Sequence, residues 1–389
     1  MGLEGRLRAA KNLKIWAAII LPSLAALISV VMLDADSLQA YRAAGQMQEA
    51  VALIRQADAV IFDLQRERGL AGMAAGSGFD PLLLQRWKAQ AAIGELHREQ
   101  LLAGSATLPD LPPEANLAWQ AVLNDLQQLA ALRRRLAAAQ TDGPPVQPIY
   151  SEAVESLIDL TESLQGVAVG ADGARRMIAL ANIVRTTEAL GQERAVGVAA
   201  VAGRAIPPSA RARLLELSIE QAARLAVARL STNARERGEL DQAVNDNSAL
   251  ELMRMRAKLQ NGDLDGVTAD GWFSTAGAGI DRLRHVGDGM TDDLARVADD
   301  SRAGALFRLL VNLLLVAVLL AFGGRLLRHL VRLVAYPAEQ LADARRQLSE
   351  EHAKLLMAAN DWIDDRGDGR RAVLLCQTPA QVVERNLAG

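Results

Sequence analysis

Two long apolar stretches constrain the fold of this chain more than any other feature. Residues 15–33 (IWAAIILPSLAALISVVML) contain no charged side chain, and a membrane-spanning helix needs about 20 predominantly apolar residues. Residues 309–324 (LLVNLLLVAVLLAFGG) form a second uncharged stretch, which residues 303–307 lengthen. Arg308 lies between them, where its long side chain can reach the membrane surface. The sequence therefore predicts two transmembrane helices, at residues 15–33 and 303–324.

The charges beside these stretches predict their orientation, because basic residues are enriched on the cytoplasmic side of a membrane. Basic residues precede the first stretch and follow the second: Arg6, Arg8, Lys11 and Lys14, then Arg325, Arg328 and Arg332. We therefore expect residues 1–14 and 325–389 in the cytoplasm and residues 34–302 outside it. Two alternatives stay open: the first stretch as a cleaved signal peptide, and the second as a buried helix of a soluble core.

Composition predicts an all-α fold for the segment between the stretches. Ala and Leu are strong helix formers and dominate, whereas aromatic residues make up 3% of the chain and long β-branched runs are missing. Clusters of Gly, Pro, Asn and Asp divide residues 34–302 into roughly seven or eight helices. We expect the first helix to continue from residues 15–33 and the last to run on into residues 303–324. Such helices would link the two sides of a membrane mechanically.

Several classes of chemistry have few candidate residues here. The chain has one cysteine, Cys376, and its four histidines are scattered without the spacing of metal ligands. No carboxylate pair or nucleophile–histidine arrangement stands out, so we expect no catalytic residues, no metal and no cofactor. The middle segment is net acidic and the ends are net basic, which is not the pattern of a nucleic-acid-binding protein.

A weak internal repeat indicates a candidate anion-binding site. LQRERGLAGMAAGSG begins at Leu64 and LGQERAVGVAAVAGR at Leu190, so that a Glu-Arg pair followed by small residues recurs at an offset of 126. The pairs are Glu67-Arg68 and Glu193-Arg194. Two guanidinium groups facing one cavity would bind a small planar anion through charge-assisted hydrogen bonds. The alternative is that these arginines form salt bridges between helices and bind no ligand.

The same residues resemble a known family, the nitrate- and nitrite-sensing (NIT) domains of bacterial receptors and regulators. The resemblance spans about residues 50–295 and rests on LQRERGL from Leu64, Tyr150, SLIDL from Ser156, EALGQERA from Glu188, GWFST from Gly271 and IDRL from Ile280. It implies an all-helical domain of two stacked four-helix bundles that binds nitrate or nitrite through arginines.

Carried over residue by residue, the resemblance implies ligand-binding roles for Arg68 and Arg194, with Arg66 next and Arg282 as a weaker fourth candidate. It gives Glu67 and Glu193 a supporting role, either orienting the guanidinium groups or bridging helices. Trp272 lies in the GWFST motif of the resemblance. We expect it in the core, because burying a large aromatic ring gains much free energy.

The last 65 residues, 325–389, are too few for the output modules that such receptors carry. Leu341, Leu348, Leu355 and Trp362 recur every seven residues, which favours a short coiled coil in a homodimer or a solvated amphipathic helix. Tyr336-Pro337 resembles the start of a HAMP linker, although a second HAMP helix is not evident. We therefore expect a separate cytoplasmic signalling protein as partner.

Together these patterns predict a two-pass sensor in the bacterial cytoplasmic membrane. Its sensor domain, residues 34–302, would bind nitrate or nitrite and pass a helix shift to the cytoplasm. The alternative is a membrane-anchored helical scaffold whose Glu-Arg pairs are structural.

Overall fold

The computed structural model describes residues 3–104, 112–140 and 146–364. In residues 3–23, 330–342 and 359–364 the description extends chiefly to the backbone. Residues 105–111, 141–145 and 365–389, which include Cys376, lie outside the described residues, as do most side chains of the first predicted transmembrane helix.

Every regular element in the described residues is helical, which confirms the all-α fold. The α-helices are α1 (Leu3–Gly76), α2 (Pro81–Gly104), α3 (Pro113–Ala137), α4 (Val146–Ser163), α5 (Gly170–Ala202), α6 (Pro208–Ser231), α7 (Ala234–Asn245), α8 (Asn247–Gln260) and α9 (Ala269–Asp364). A short 3₁₀ helix, Leu164–Val167, separates α4 from α5.

Most helix boundaries follow the turn residues of the sequence. The Asp80 carboxylate accepts hydrogen bonds from the backbone N–H groups of Leu82 and Leu83, at 2.9 and 3.1 Å, and so caps α2. Boundaries without Gly or Pro account for the helices beyond the predicted seven or eight. One of these is the break before α7, where Asn233 and Glu236 form a reciprocal capping box.

The two longest helices are unbroken. The backbone of α1 runs through residues 15–33 and on to Gly76, and α9 runs from Ala269 through residues 303–324. Both continuities agree with the sequence prediction. In the part of the chain whose side chains are described, Ala269–His329 contains one stretch that is long and apolar enough, by length and composition, to cross a membrane. Its leucines, such as Leu314 and Leu320, are exposed.

Two clusters of buried apolar side chains hold the helices of residues 34–302 together. The first is built mainly from α1, α2, α3 and α4, and it also contains buried residues of α5 and α9, such as Leu180 and Leu294. The second is built from α5 to α9, with Trp272 at 0% exposure among its members. The prediction that Trp272 belongs to the core is confirmed.

The chain divides into two compact units, residues 1–312 and 313–389. In the second unit, α9 carries Leu348 and Leu355 with exposed fractions of 69% and 68%. The side chains of Leu341 and Trp362, which complete the predicted heptad, lie outside the described residues.

Candidate functional site

The two repeated Glu-Arg pairs lie on α1 and α5, and both glutamates bridge helices. Arg133 of α3 donates to both carboxylate oxygens of Glu67, from Nε at 2.8 Å and from Nη2 at 2.5 Å. The Tyr150 hydroxyl donates to the same carboxylate at 2.5 Å. Burial, together with this negative charge, raises the pKa of Tyr150 well above its usual value.

Glu193 has the same arrangement in the second cluster. Arg256 of α8 donates to both carboxylate oxygens, from Nη2 to Oε2 at 2.6 Å, and Gln221 of α6 donates to Oε2 at 2.7 Å. Glu67 and Glu193 are both fully buried. Each glutamate therefore forms its salt bridge with an arginine about half a repeat later in the chain. Among the described residues, neither glutamate forms a salt bridge with the arginine next to it in sequence.

The arginines of the two pairs have unequal surroundings. Arg68, 1% exposed, donates from Nη1 to Glu188 Oε1 at 2.6 Å and from Nη2 to Glu188 Oε2 at 3.2 Å. Its Nη1 also donates to the Ser151 hydroxyl at 2.9 Å. Gln65 and Gln192 donate to the same Glu188 carboxylate. The charge of Arg68 is therefore neutralised inside the protein.

Arg194 is also buried, but no carboxylate of the described residues is hydrogen-bonded to its guanidinium. It is 5% exposed, and among the described residues its guanidinium makes one hydrogen bond, from Nη2 to the Gln65 carbonyl oxygen at 3.1 Å, and no salt bridge. Its Cζ lies 4.7 Å from the centre of the Phe273 ring. Burial, followed by the positive charges of Arg68 and Arg66, lowers the pKa of Arg194 to about 10. The group thus carries an incompletely compensated buried charge.

The internal repeat explains why Arg194 lacks a partner. At the offset of 126 that relates Arg194 to Arg68, the counterpart of Glu188 is Phe62. Phe62 carries no negative charge. Its ring instead makes a cation–π contact with Arg284, whose Cζ lies 4.0 Å from the ring centre. The second half of the repeat has therefore kept the arginine without its carboxylate.

A cavity of about 670 Å³ opens beside Arg194. Its walls come from α1, α2, α4, α5 and the start of α9, together with Ser77 from the loop after α1. The lining residues are Gln65, Gly69, Gly72, Met73, Ser77, Leu83, Gln147, Gly191, Arg194, Ala195, Val198, Ala199, Ala202, Gly203, Ala269 and Phe273. Among the described residues Arg194 is the one charged side chain in this lining, so an anion that enters meets a guanidinium and no carboxylate from this part of the chain.

Two helices begin beside the cavity. Gln147 and Ala269 lie in the first turns of α4 and α9, and both line the cavity. In α9 the Thr268 hydroxyl accepts a hydrogen bond from the Gly271 N–H at 3.1 Å, and Asp270 lies in the first turn. The Arg194 guanidinium is therefore the main positive group of the site.

The small residues of the repeat let helices approach closely around Arg194. Trp272 donates from its indole Nε1 to the Arg194 carbonyl at 3.1 Å and lies against Gly197, where an added Cβ would fall 2.1 Å from the same nitrogen. A Cβ on Gly69 would contact Phe273 at 3.4 Å. Gly197 therefore allows Trp272 to pack beneath the site and to position Phe273 against the Arg194 guanidinium.

The remaining arginines predicted from the sequence lie apart from the cavity lining. Arg66 is exposed, with Cζ 5.5 Å from the centre of the Phe62 ring. Arg282 donates to the Ala243 carbonyl oxygen at 3.2 Å, has Asp246 within 3.1 Å, and lines a smaller cavity of about 90 Å³ with Arg256. Arg68 lies just behind the wall, because a Cβ on Gly191 would fall 3.1 Å from its Nη2.

Sequence reasoning missed the residues that distinguish the two arginines. Glu188 stood in the quoted EALGQERA motif, and Phe62 stood at its repeat position. Aligning the residues just before each Glu-Arg pair would have found the missing carboxylate. Phe273 and the apolar cavity wall had no comparable signal, since they reach Arg194 only through the folding of α9 and α1 beside α5.

Comparisons with known proteins identify the family of this chain. The model of the family described as "nitrate and nitrite sensing" (NIT) matches residues 59–295, more than half of the chain. The chain belongs to this family. The "Nitrate regulatory protein" of Klebsiella oxytoca is 25% identical over 257 residues, which are 65% of this chain and 64% of the relative. This NIT protein thus spans slightly less than two thirds of that relative.

The fold of this NIT protein is shared with a protein of known structure, the NasR transcription antiterminator. The two superimpose with a TM-score of 0.64 at 23% identity, covering 75% of this chain and 80% of that chain. At this level of identity the likeness concerns the fold alone. Transcription antitermination is a property of NasR and is not carried over to this chain.

Proposed function

We propose that this NIT protein is a transmembrane sensor that binds nitrate or nitrite at Arg194 and passes a helix shift to a cytoplasmic partner. The observation that carries the proposal is the charge on Arg194, which is buried beside a cavity without a carboxylate partner. A planar guanidinium presents paired N–H donors that match two oxygens of a planar anion. An anion there would offset the cost of burying the charge.

The same geometry divides the predicted arginines into two roles. We assign direct contact with the anion to Arg194. Arg68 lies behind Gly191, where its salt bridge with Glu188 holds α1 against α5. Glu67 and Glu193 hold helices together in the same way. Arg66 adds positive potential from the surface, and Arg282 belongs to the smaller cavity. The scaffold alternative describes the Glu67 and Glu193 networks well, but it leaves the charge of Arg194 without a purpose.

We further propose a two-pass topology in the bacterial cytoplasmic membrane, with residues 34–302 extracytoplasmic and both ends cytoplasmic. The exposed leucines of α9 and the basic residues beside both apolar stretches support this arrangement. The two apolar clusters would be the cores of two stacked four-helix bundles. Because α1 and α9 are continuous helices, a shift between them would reach the cytoplasm.

The remaining assignments complete the proposal. A homodimer through the last part of α9 and a separate cytoplasmic signalling protein would receive the signal. We propose no catalytic activity, no cofactor and no nucleic-acid partner for this chain. The net acidic charge of residues 34–302 supports the last point, since nucleic-acid binding requires a basic surface.

Calorimetric titration of the full chain in lipid nanodiscs tests the proposal. Sodium nitrate and sodium nitrite should each bind saturably, sodium chloride at the same concentrations should not, and Arg194→Met should abolish the heat of binding. A well-folded protein that shows no heat and no thermal stabilisation with millimolar nitrate or nitrite would overturn the sensor proposal in favour of the scaffold.

A further inference from the structure

The cavity beside Arg194 is far larger than a nitrate ion. Its volume is about 670 Å³, whereas one water molecule in the liquid takes about 30 Å³ and a four-atom anion is of the same order. Protein pockets of about 300–1,000 Å³ with a few polar groups usually enclose organic molecules. Nitrate on Arg194 would therefore leave most of the cavity to solvent.

The wall away from Arg194 is mainly apolar, with Ser77 and Gln147 as its polar residues. Along α5 the cavity face continues from Arg194 to Val198, Ala199 and Ala202. Eight residues of helix separate Arg194 from Ala202, a distance of about 12 Å. Along α1 the opposite wall runs from Gln65 to Met73 over the same number of residues. The cavity is thus an elongated slot with its charge toward one end.

The charge of the slot defines the head group of its occupant. Arg194 is the one charged residue that the described part of the chain contributes to the lining, so the slot suits a monoanion. A carboxylate presents two oxygens in a plane, as nitrate does, and fits the same guanidinium donors. The Arg194 Cζ lies over the Phe273 ring, 4.7 Å from its centre, so Phe273 offers an apolar surface next to the head group.

We propose that the slot binds an organic monocarboxylate, with the carboxylate on Arg194 and a hydrocarbon body of about 10 Å against Met73, Leu83 and Val198. The inference rests on the proposed function, because it uses the same arginine. The size follows from the roughly 12 Å between Arg194 and Ala202, and the class of body follows from the apolar wall. Nitrate is then the smallest occupant of a site whose remaining surface selects a larger molecule.

The test uses the full chain in lipid nanodiscs and a series of probes: acetate, butyrate, hexanoate, octanoate and 3-phenylpropionate. Burying each added methylene should tighten binding about threefold until the slot is filled. Octanamide, which has the same body without the charge, should bind at least tenfold more weakly than octanoate. Nitrate and octanoate should compete, and Arg194→Met should lose both.

Val198→Phe provides the matched variant, because it fills the apolar slot about one helical turn from Arg194 and leaves the guanidinium in place. It should weaken octanoate binding at least tenfold, and by a clearly larger factor than it weakens nitrate binding. Nanodisc-bound Arg194→Met protein serves as the baseline for octanoate that partitions into lipid. The probe series needs no variant, so the proposal stays testable if Val198→Phe misfolds.

The outcomes separate this inference from the proposed function. Nitrate binding with equal affinities for acetate and octanoate would overturn the carboxylate inference and leave the nitrate sensor intact. Octanoate binding that depends on Arg194, in a protein that does not bind nitrate or nitrite, would support the slot and overturn the nitrate assignment. Absence of binding by nitrate and by every carboxylate would overturn both.

Discussion

At the scale of single residues, the two arginines of the repeat have the same side chain but opposite effects on the stability of the fold: Arg68 stabilises it through a salt bridge, and the buried charge of Arg194 destabilises it. Arg68 and Glu188 form a buried pair held by two hydrogen bonds, and removing one partner would strand the other charge. Arg194 has no such partner among the described residues, so its burial is a cost that the fold bears. Uncompensated charge of this kind is characteristic of functional sites.

The first prediction contrasts Arg194→Met with Arg68→Met in the absence of ligand. The folded-state pKa of Arg194, about 10, lies below the usual value for arginine. The protonated group therefore destabilises the fold at every pH below about 10, neutral pH included. We expect Arg194→Met to raise the free energy of unfolding by about 1–2 kcal/mol.

Arg68→Met should lower the free energy of unfolding by about 3–5 kcal/mol, because it leaves Glu188 buried and unpaired. Chemical denaturation of both variants in the same nanodiscs, at neutral pH and without nitrate, measures the difference. Equal destabilisation by the two substitutions would mean that Arg194 is a structural residue like Arg68.

The second prediction concerns the packing of Trp272 on Gly197. A Cβ on Gly197 would overlap the indole of a fully buried Trp272, so Gly197→Ala should destabilise the protein by about 1–3 kcal/mol. It should also weaken nitrate binding, since Phe273 follows Trp272. Gly45→Ala is the matched control in a helix with open space at its Cβ, and it should be neutral or stabilise by up to about 1 kcal/mol. Thermal unfolding with and without nitrate measures both effects.

At the scale of elements, α1 and α5 are equivalent helices that the protein uses unequally. Each carries a Glu-Arg pair, and each glutamate is tied to an arginine of its own cluster. The difference lies at one pair of equivalent repeat positions: Glu188 on α5 pairs with Arg68, whereas Phe62 on α1 carries no charge and its ring lies against Arg284. A carboxylate at position 62 would make the two halves of the repeat equivalent and would supply negative charge to offset the buried charge of Arg194.

The third prediction follows from this asymmetry. Phe62→Glu should place a carboxylate at the repeat position equivalent to Glu188 and weaken nitrate binding at least tenfold, because the added negative charge opposes the binding of an anion at Arg194. Phe62→Gln is the control, since it removes the same aromatic ring without adding charge. Titration calorimetry compares the two variants, and equal loss of affinity in both would show that the ring, not the missing charge, maintains the site.

The fourth prediction concerns the pairing of α1 with α9 on the side of the site toward the apolar stretches. Gln48 donates to Asp299, and Arg302 donates to the Tyr41 hydroxyl at 2.9 Å. Cysteines at positions 48 and 299, in a chain with Cys376→Ser, should form a disulfide whose rate changes at least twofold when nitrate binds. The same pair in an Arg194→Met background should not respond. A rate that nitrate leaves unchanged in the first chain would contradict transmission through a shift of α1 against α9.

At the scale of the whole molecule, the proposed topology places the site far from the membrane. Gly69 at the cavity lies 36 residues beyond Leu33 on α1, which corresponds to about 54 Å of helix. A ligand at that distance can act on the cytoplasm only through a stiff element. The unbroken backbone of α1 and of α9 meets this requirement.

The fifth prediction tests the topology directly. Asp263 is exposed in the turn after α8, so Asp263→Cys should react with a membrane-impermeant maleimide added to intact spheroplasts. The native Cys376 should react only after lysis, which makes it an internal control in the same chain. Labelling of Cys376 in intact spheroplasts, or protection of the cysteine at 263, would overturn the arrangement with both ends inside.

The sequence by itself determined the helical fold, the continuity of α1 and α9 and most helix ends. These features depend on local physics: Ala and Leu favour helix, and clusters of Pro, Gly, Asn and Asp end it. Isolated breakers such as Pro22 and Pro337 do not interrupt α1 or α9, and membrane helices tolerate such residues. The break before α7 was still readable from Asn233 and Glu236, which cap it through their side chains. The sequence also identified the two Glu-Arg pairs, because their spacing repeats.

Only the tertiary structure decided which arginine is available to a ligand. Arg68 and Arg194 each follow a glutamate in the repeated motif, and their difference comes from residues distant in sequence: Glu188 for Arg68, Phe62 and Phe273 for Arg194. The cavity likewise exists only where α1, α5 and α9 meet. Charge compensation and empty volume depend on distances between helices, and the order of residues along one helix does not contain those distances.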